Sequence, residues 1–187
     1  MGEDRRLGGA CVRQASPPVL IALAALLSVG PVGLALSIRG SRPAPPSVPA
    51  TLGDIARAAG CSLTEFDADP RSNPPVSGRV DERVAADDGS YVGRRPPPPA
   101  GAMHAMFHGR VLVQYAPSLP AEELRALDRA VGADPAKVLL FANRTGMPAP
   151  VAATAYLTLM TCPRVDAGTL AAVRAFRARR ADFGQRF

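Results

Sequence analysis

His104 and His108 are the chain's only two histidines and stand four residues apart. On a helix that spacing places both imidazoles on one face, about 5–6 Å apart at Cβ, near enough to chelate a single metal ion. Two nitrogens do not complete a site. Zinc takes at least three protein ligands, and the Glu that serves as general base in His-Glu-x-x-His is replaced here by Ala105. Metalloprotease chemistry is therefore set aside. Met103 and Met106 interleave with the histidines, and thioether plus imidazole suits copper(I), with Met147 and Met160 as further candidate ligands. The plainer account has the imidazoles hydrogen-bonding backbone carbonyls where a helix meets a strand, and the methionines filling core gaps.

Cysteine is the second reactive type. Cys11 stands near the start of the chain, while Cys61 and Cys162 are the two that could form a disulfide; the other reading is a pair of buried thiols. Neither has an activating Cys-x-x-Cys partner, so no catalytic thiol is assigned. The sequence holds no Walker loop, no Gly-x-Ser-x-Gly and no dinucleotide fingerprint. Asn143-Arg144-Thr145 fits the glycosylation pattern, which is too short to carry weight by itself.

Something must hold these residues in place, and the strongest signal lies far from them. The run that begins at Val19 and ends at Ile38 is twenty residues without a charge, eleven of them Leu, Ile or Val. At about 1.5 Å per residue it covers a hydrocarbon core of about 30 Å. A cleaved signal peptide is the rival, but Gly33-Leu34-Ala35 is a poor exit and the apolar run is longer than a signal needs. An uncleaved transmembrane helix over 19–38 is expected. Arg5, Arg6 and Arg13 before it against Arg39 and Arg42 after it lean toward a cytoplasmic N-terminus. Residues 1–18 are then a cytoplasmic tail that keeps Cys11 reduced. Residues 39–51, rich in proline, form a stalk, and 52–187 form an extracytoplasmic domain.

The net charge of +6 does not mark a nucleic-acid binder once it is divided along the chain. Residues 1–51 carry +3, residues 168–187 carry +4, and the middle carries −1. The terminal cluster of Arg174, Arg177, Arg179, Arg180 and Arg186 reads as a solvated helix face, with a phosphate- or lipid-binding stripe as the alternative.

Within 52–187, Thr51-x-x-Asp54 has the capping-box pattern and opens a short helix stopped by Gly60; 61–66 then reads as a strand. Residues 79–102, with four consecutive prolines from Pro96 to Pro99, are expected to be a long surface loop. One helical turn over 104–109 leads into a buried strand over 110–115. A helix over 118–131 follows, capped by Ser118 and ended by Gly132. Strands over 137–142 and 151–160 come next, then a last helix capped by Asp166 with Leu170, Val173 and Phe176 inward. The expected fold class is α+β, a short sheet flanked by two main helices.

Pro74-Pro75-Val76-Ser77-Gly78, then His104-Ala105-Met106-Phe107-His108-Gly109 running into an apolar strand, then Pro150-Val151-Ala152-Ala153-Thr154-Ala155-Tyr156, resemble in order and spacing the motifs of a bacterial family of membrane-anchored proteins, domain of unknown function 3105. The resemblance covers roughly residues 52–183. Arg79-Val80 stands where the family has Pro-His, Phe107 where it has Glu, and Tyr156 where it has Trp. The resemblance implies no activity. If the family's extra His and Glu complete a metal site, this chain has lost both.

The expectation is thus a single-pass protein whose exported domain is a binding or structural module of the cell envelope. Its partners would be the lipid bilayer and an envelope protein or ligand of unknown identity, not nucleic acid. A copper- or zinc-binding domain using His104 and His108 is the alternative, and a hydrolase of unassigned type is the third. No catalytic or cofactor-binding residue is assigned.

Overall fold

Thr51 and Asp54 exchange hydrogen bonds that open the first helix, α1 (Leu52–Ala58): Thr51 Oγ1 accepts from the Asp54 amide at 3.1 Å, and Asp54 Oδ2 accepts from the Thr51 amide at 3.0 Å. Its far end closes as a Schellman turn. Gly60 sits at φ +70°, its amide donates to the Arg57 carbonyl, and the Cys61 amide reaches the Ala56 carbonyl at 2.8 Å. These and the following elements come from a computed structural model that describes residues 50–68 and 71–182.

After α1 the chain forms β1 (Ser62–Glu65), β2 (Gly89–Ser90), α2 (Pro99–Phe107), β3 (Val111–Tyr115), α3 (Ala121–Gly132), β4 (Val138–Ala142), β5 (Val151–Ala155), β6 (Thr158–Cys162) and α4 (Ala167–Arg180). The strands make one six-stranded sheet in the order β1-β6-β5-β3-β4-β2. β2, β4 and β3 run parallel, whereas the steps from β3 to β5, β6 and β1 are antiparallel. The α+β class is therefore what the chain adopts.

Both faces of the sheet are covered, which is why β3 and β4 read as near-continuous apolar runs. Val111, Val113, Tyr115, Val138 and Leu140 face one way, into the main core with Leu127 of α3 and Val173 and Phe176 of α4. Leu112, Leu139 and Phe141 alternate to the other face, against Ala102, Met103, Ala105 and Met106 of α2. Each fully buried Leu, Val or Phe contributes about 1.5–3 kcal/mol, so both layers are held by many such terms. Cys61 and Cys162 extend the β1–β6 register as directly opposed residues and form a disulfide with Cα atoms 4.3 Å apart.

Several expectations are corrected. The sheet is larger than the short one expected. The supposed loop over 79–102 contains β2 and the first turn of α2. That helix starts at Pro99 rather than at His104, because a proline in the first turn lacks only an N–H that has no helical partner. Ser118 does not cap α3, whose N-cap is Pro120 without a side-chain bond. The strand expected over 151–160 is two strands reversing at Tyr156 and Leu157, with Leu157 at φ +55°. Asp166 does cap α4, accepting from the Thr169 amide at 2.8 Å.

The tail, the apolar run over 19–38 and nearly all of the stalk lie outside the described residues. Among the described residues no helix is long and apolar enough to cross a membrane.

Candidate functional site

α2 carries both histidines toward its C-terminal end, with His108 as the residue that caps it. Their rings meet: His104 Nε2 lies 2.9 Å from His108 Nε2, with ring centroids 4.7 Å apart. One nitrogen must carry the proton and the other the lone pair. His104 Nδ1 is buried without a hydrogen-bond partner. A bare buried lone pair costs less than a bare buried N–H, so we assign the donor to His104 Nε2 and the acceptor to His108 Nε2. The two Nε2 atoms thus satisfy one another, and His104 Nδ1 is left as the unpartnered lone pair. Among the described residues no group of three or more His, Cys, Asp or Glu could hold an ion. Met103 and Met106 are buried in the α2 cluster, and Met160 sits in the core on the opposite face of the sheet. Met147 is buried as well, so these four methionines are core residues, and of the candidate ligands among the described residues only the two imidazoles meet.

A different place gathers polar groups around an apolar space. A cavity of about 210 Å³ lies at the carboxyl ends of β3 and β4, lined by Pro75, Pro96, Pro97, Pro99, Met103 and Phe141 among others. Its polar lining is Gln114, Asn143, Arg144 and Thr145. Gln114 ends the α2-facing row of β3, and Asn143 and Arg144 follow β4 directly. In doubly covered sheets, ligands bind beyond the carboxyl ends of parallel strands.

The hydrogen bonds fix how the amides of this lining are oriented. The Thr145 amide, a donor only, reaches Asn143 Oδ1 at 2.8 Å, so the Asn143 amide group is held with its oxygen toward Thr145. Asn143 Nδ2 then donates to Gln114 Oε1 at 2.8 Å. Gln114 in turn is left with Nε2, two N–H donors, unengaged by any hydrogen bond among the described residues. Gln114 is only 4% exposed and Asn143 5%, so both amides are paid out of solvent and into this arrangement. Across the same corner, Asn73 Nδ2 donates to the Thr145 carbonyl at 3.1 Å, which pins the Pro74-Pro75 segment over the strand ends.

A polar residue inside Val-Leu-Val-Gln-Tyr, and another just past Val-Leu-Leu-Phe-Ala, are signals that sequence reasoning passed over. The glycosylation reading of Asn143 fails, since its side chain is buried and bonded on both sides.

Three of the terminal arginines are paired at the surface of the domain. Arg177 pairs with Asp134 at 2.5 Å, Arg180 pairs with Glu65, and Arg179 Nη2 donates to the Ala50 carbonyl at 2.8 Å. Arg186 lies outside the described residues.

Val80 packs against the α2 cluster. The Phe107 and Tyr156 rings contact one another, with centroids 5.1 Å apart. No curated protein and no solved structure matches the chain at a significant level. The family profile described as protein of unknown function, DUF3105, matches residues 67–182, starting later than the region over which the motifs were expected to extend, and the chain belongs to that family.

Proposed function

We propose that this chain is a membrane-tethered binding module of the cell envelope. The uncharged run over 19–38 anchors it, the proline-rich stretch over 39–51 spaces it from the bilayer, and the folded domain works outside the cytoplasm with the cavity at the ends of β3 and β4 as its binding surface. The observation that carries this reading is the Cys61–Cys162 disulfide, because such bonds persist in oxidising compartments and are rare in reducing ones. The cavity supports the binding half of the reading: an apolar space with a few convergent polar groups is the usual form of a small-ligand site.

The test is membrane fractionation of cells expressing the full chain, followed by protease treatment of spheroplasts. The expected result is a membrane-bound product whose C-terminal domain is digested from outside. Recovery of the intact chain in the soluble fraction, or full protection from external protease, overturns the placement.

A further inference from the structure

Of the polar side chains that line the cavity, Asn143 and Thr145 are already hydrogen-bonded to described neighbours. Asn143 is bonded to Gln114 and Thr145, which leaves Gln114 Nε2 as an amide donor that no described residue engages. Arg144 lines the same space, is exposed, and takes part in no salt bridge among the described residues. Pro99 also lines it, and begins a nine-residue helix that has no side-chain cap and no acidic residue in its first turn, so the positive end of its dipole is not offset locally. No Asp or Glu is part of the lining. The apolar lining is four prolines, Ala102, Met103, Leu112, Phe141 and Ala142.

We infer that this cavity binds a carboxylate carried on a compact apolar body, with the head group held by Gln114 Nε2 and the Arg144 guanidinium and the body packed among the prolines and Met103. The inference rests on the cavity being the binding surface proposed above, and gives that surface a chemistry. Two side-chain donors in a lining without a carboxylate favour a group that accepts, and a guanidinium favours a charged one. The apolar lining excludes strongly hydrated inorganic anions, whose desolvation no wall group would offset. Size sets the body: at roughly 30 Å³ for each water in the liquid, the cavity has room for about seven waters, which matches an acid of roughly eight non-hydrogen atoms. Both a free small acid and the C-terminus of a peptide ending in an apolar residue have this chemistry.

The test is calorimetric titration of the full-length chain with 4-methylpentanoate and with its uncharged isostere, 4-methylpentanamide. The acid is expected to saturate one site and to bind at least about tenfold more tightly than the amide, as charge-assisted hydrogen bonds require. Arg144→Gln should reduce the acid to the level of the amide and leave the amide unchanged; Arg144 is exposed, so this variant folds. Gln114→Glu keeps the acceptor for Asn143 but turns the free donor into a repelling oxygen, and should abolish acid binding. Acetyl-Gly-Leu with a free or an amidated C-terminus separates the sources. A free-ended peptide that outcompetes 4-methylpentanoate identifies a protein terminus, and the reverse identifies a small acid. Equal binding of acid and amide, unaffected by Arg144→Gln, overturns the carboxylate and leaves the cavity as a binding surface. Absence of saturable binding by all four probes overturns both, while the placement at the membrane is read separately by the protease experiment.

Discussion

Phe107 and Tyr156 meet ring to ring, centroids 5.1 Å apart and planes inclined by 57°. The contact joins the C-terminal end of α2 to the turn between β5 and β6, two parts of the chain that share no strand pairing.

An inclined aromatic pair contributes about 0.5–1.5 kcal/mol beyond the area it buries. Phe107→Ala and Tyr156→Ala are each expected to lower stability, and the double variant should be less damaging than the sum by about 0.5–1.5 kcal/mol. Urea unfolding of the four proteins in the cycle measures this. Strict additivity would mean that the rings are neighbours without coupling.

How far the sequence reveals this fold depends on whether the decisive interaction is local. The Thr51 and Asp166 caps were legible because cap and helix are three residues apart, and β3 and β4 because an unbroken apolar run is what a doubly covered strand requires. The start of α2 was not, since four prolines read as a breaker until the last of them occupies the first helical turn. Nor was the β5–β6 reversal: Tyr156 and Leu157 are not turn formers, and Leu157 adopts a positive φ only because the flanking strands pair. The histidine pair follows from i, i+4 spacing. The cavity does not, because Pro75, Pro97 and Arg144 come from three separate segments that no periodicity links.

The disulfide closes a loop with a sequence separation of 101. Loop-closure entropy for a loop of that size corresponds to about 4–5 kcal/mol. Reduction should therefore lower the melting temperature markedly, and Cys61→Ala combined with Cys162→Ala should reproduce the reduced protein and make it insensitive to reductant. Calorimetric melting with and without reductant measures both. Identical melting in the two conditions would remove the bond as a stabilising element.

Asp166 caps α4 with its carboxylate. The Arg164 guanidinium, donating through Nε at 2.6 Å, is the main cause that brings its pKa down to about 2, with the Thr169 amide adding to the shift. A carboxylate whose folded pKa lies below its unfolded value of 3.8 favours the folded state above that value and stops doing so as pH falls toward the folded one. Stability should accordingly decline between about pH 4 and pH 2. Asp166→Asn retains a cap acceptor but removes the titration, so the variant should show a shallower decline over that window. Acid titration followed by far-ultraviolet circular dichroism distinguishes the two slopes, and parallel curves would assign the acid sensitivity to other groups.

His104 and His108 give a last expectation, since each Nε2 has the other as its partner. An ion bound at both nitrogens must expel the shared proton, leave His104 Nδ1 still buried without a partner, and take its remaining ligands from water. Zinc or copper(I) is therefore expected to bind too weakly to survive dialysis against a mild chelator, and more weakly still as the pH falls. His104→Ala should change the melting temperature of the protein and leave its metal content as it was. Elemental analysis of the full chain after metal loading and dialysis measures the content. One equivalent retained by the wild type and lost in both His104→Ala and His108→Ala would show that the imidazoles form a metal centre, with further ligands from beyond the described residues.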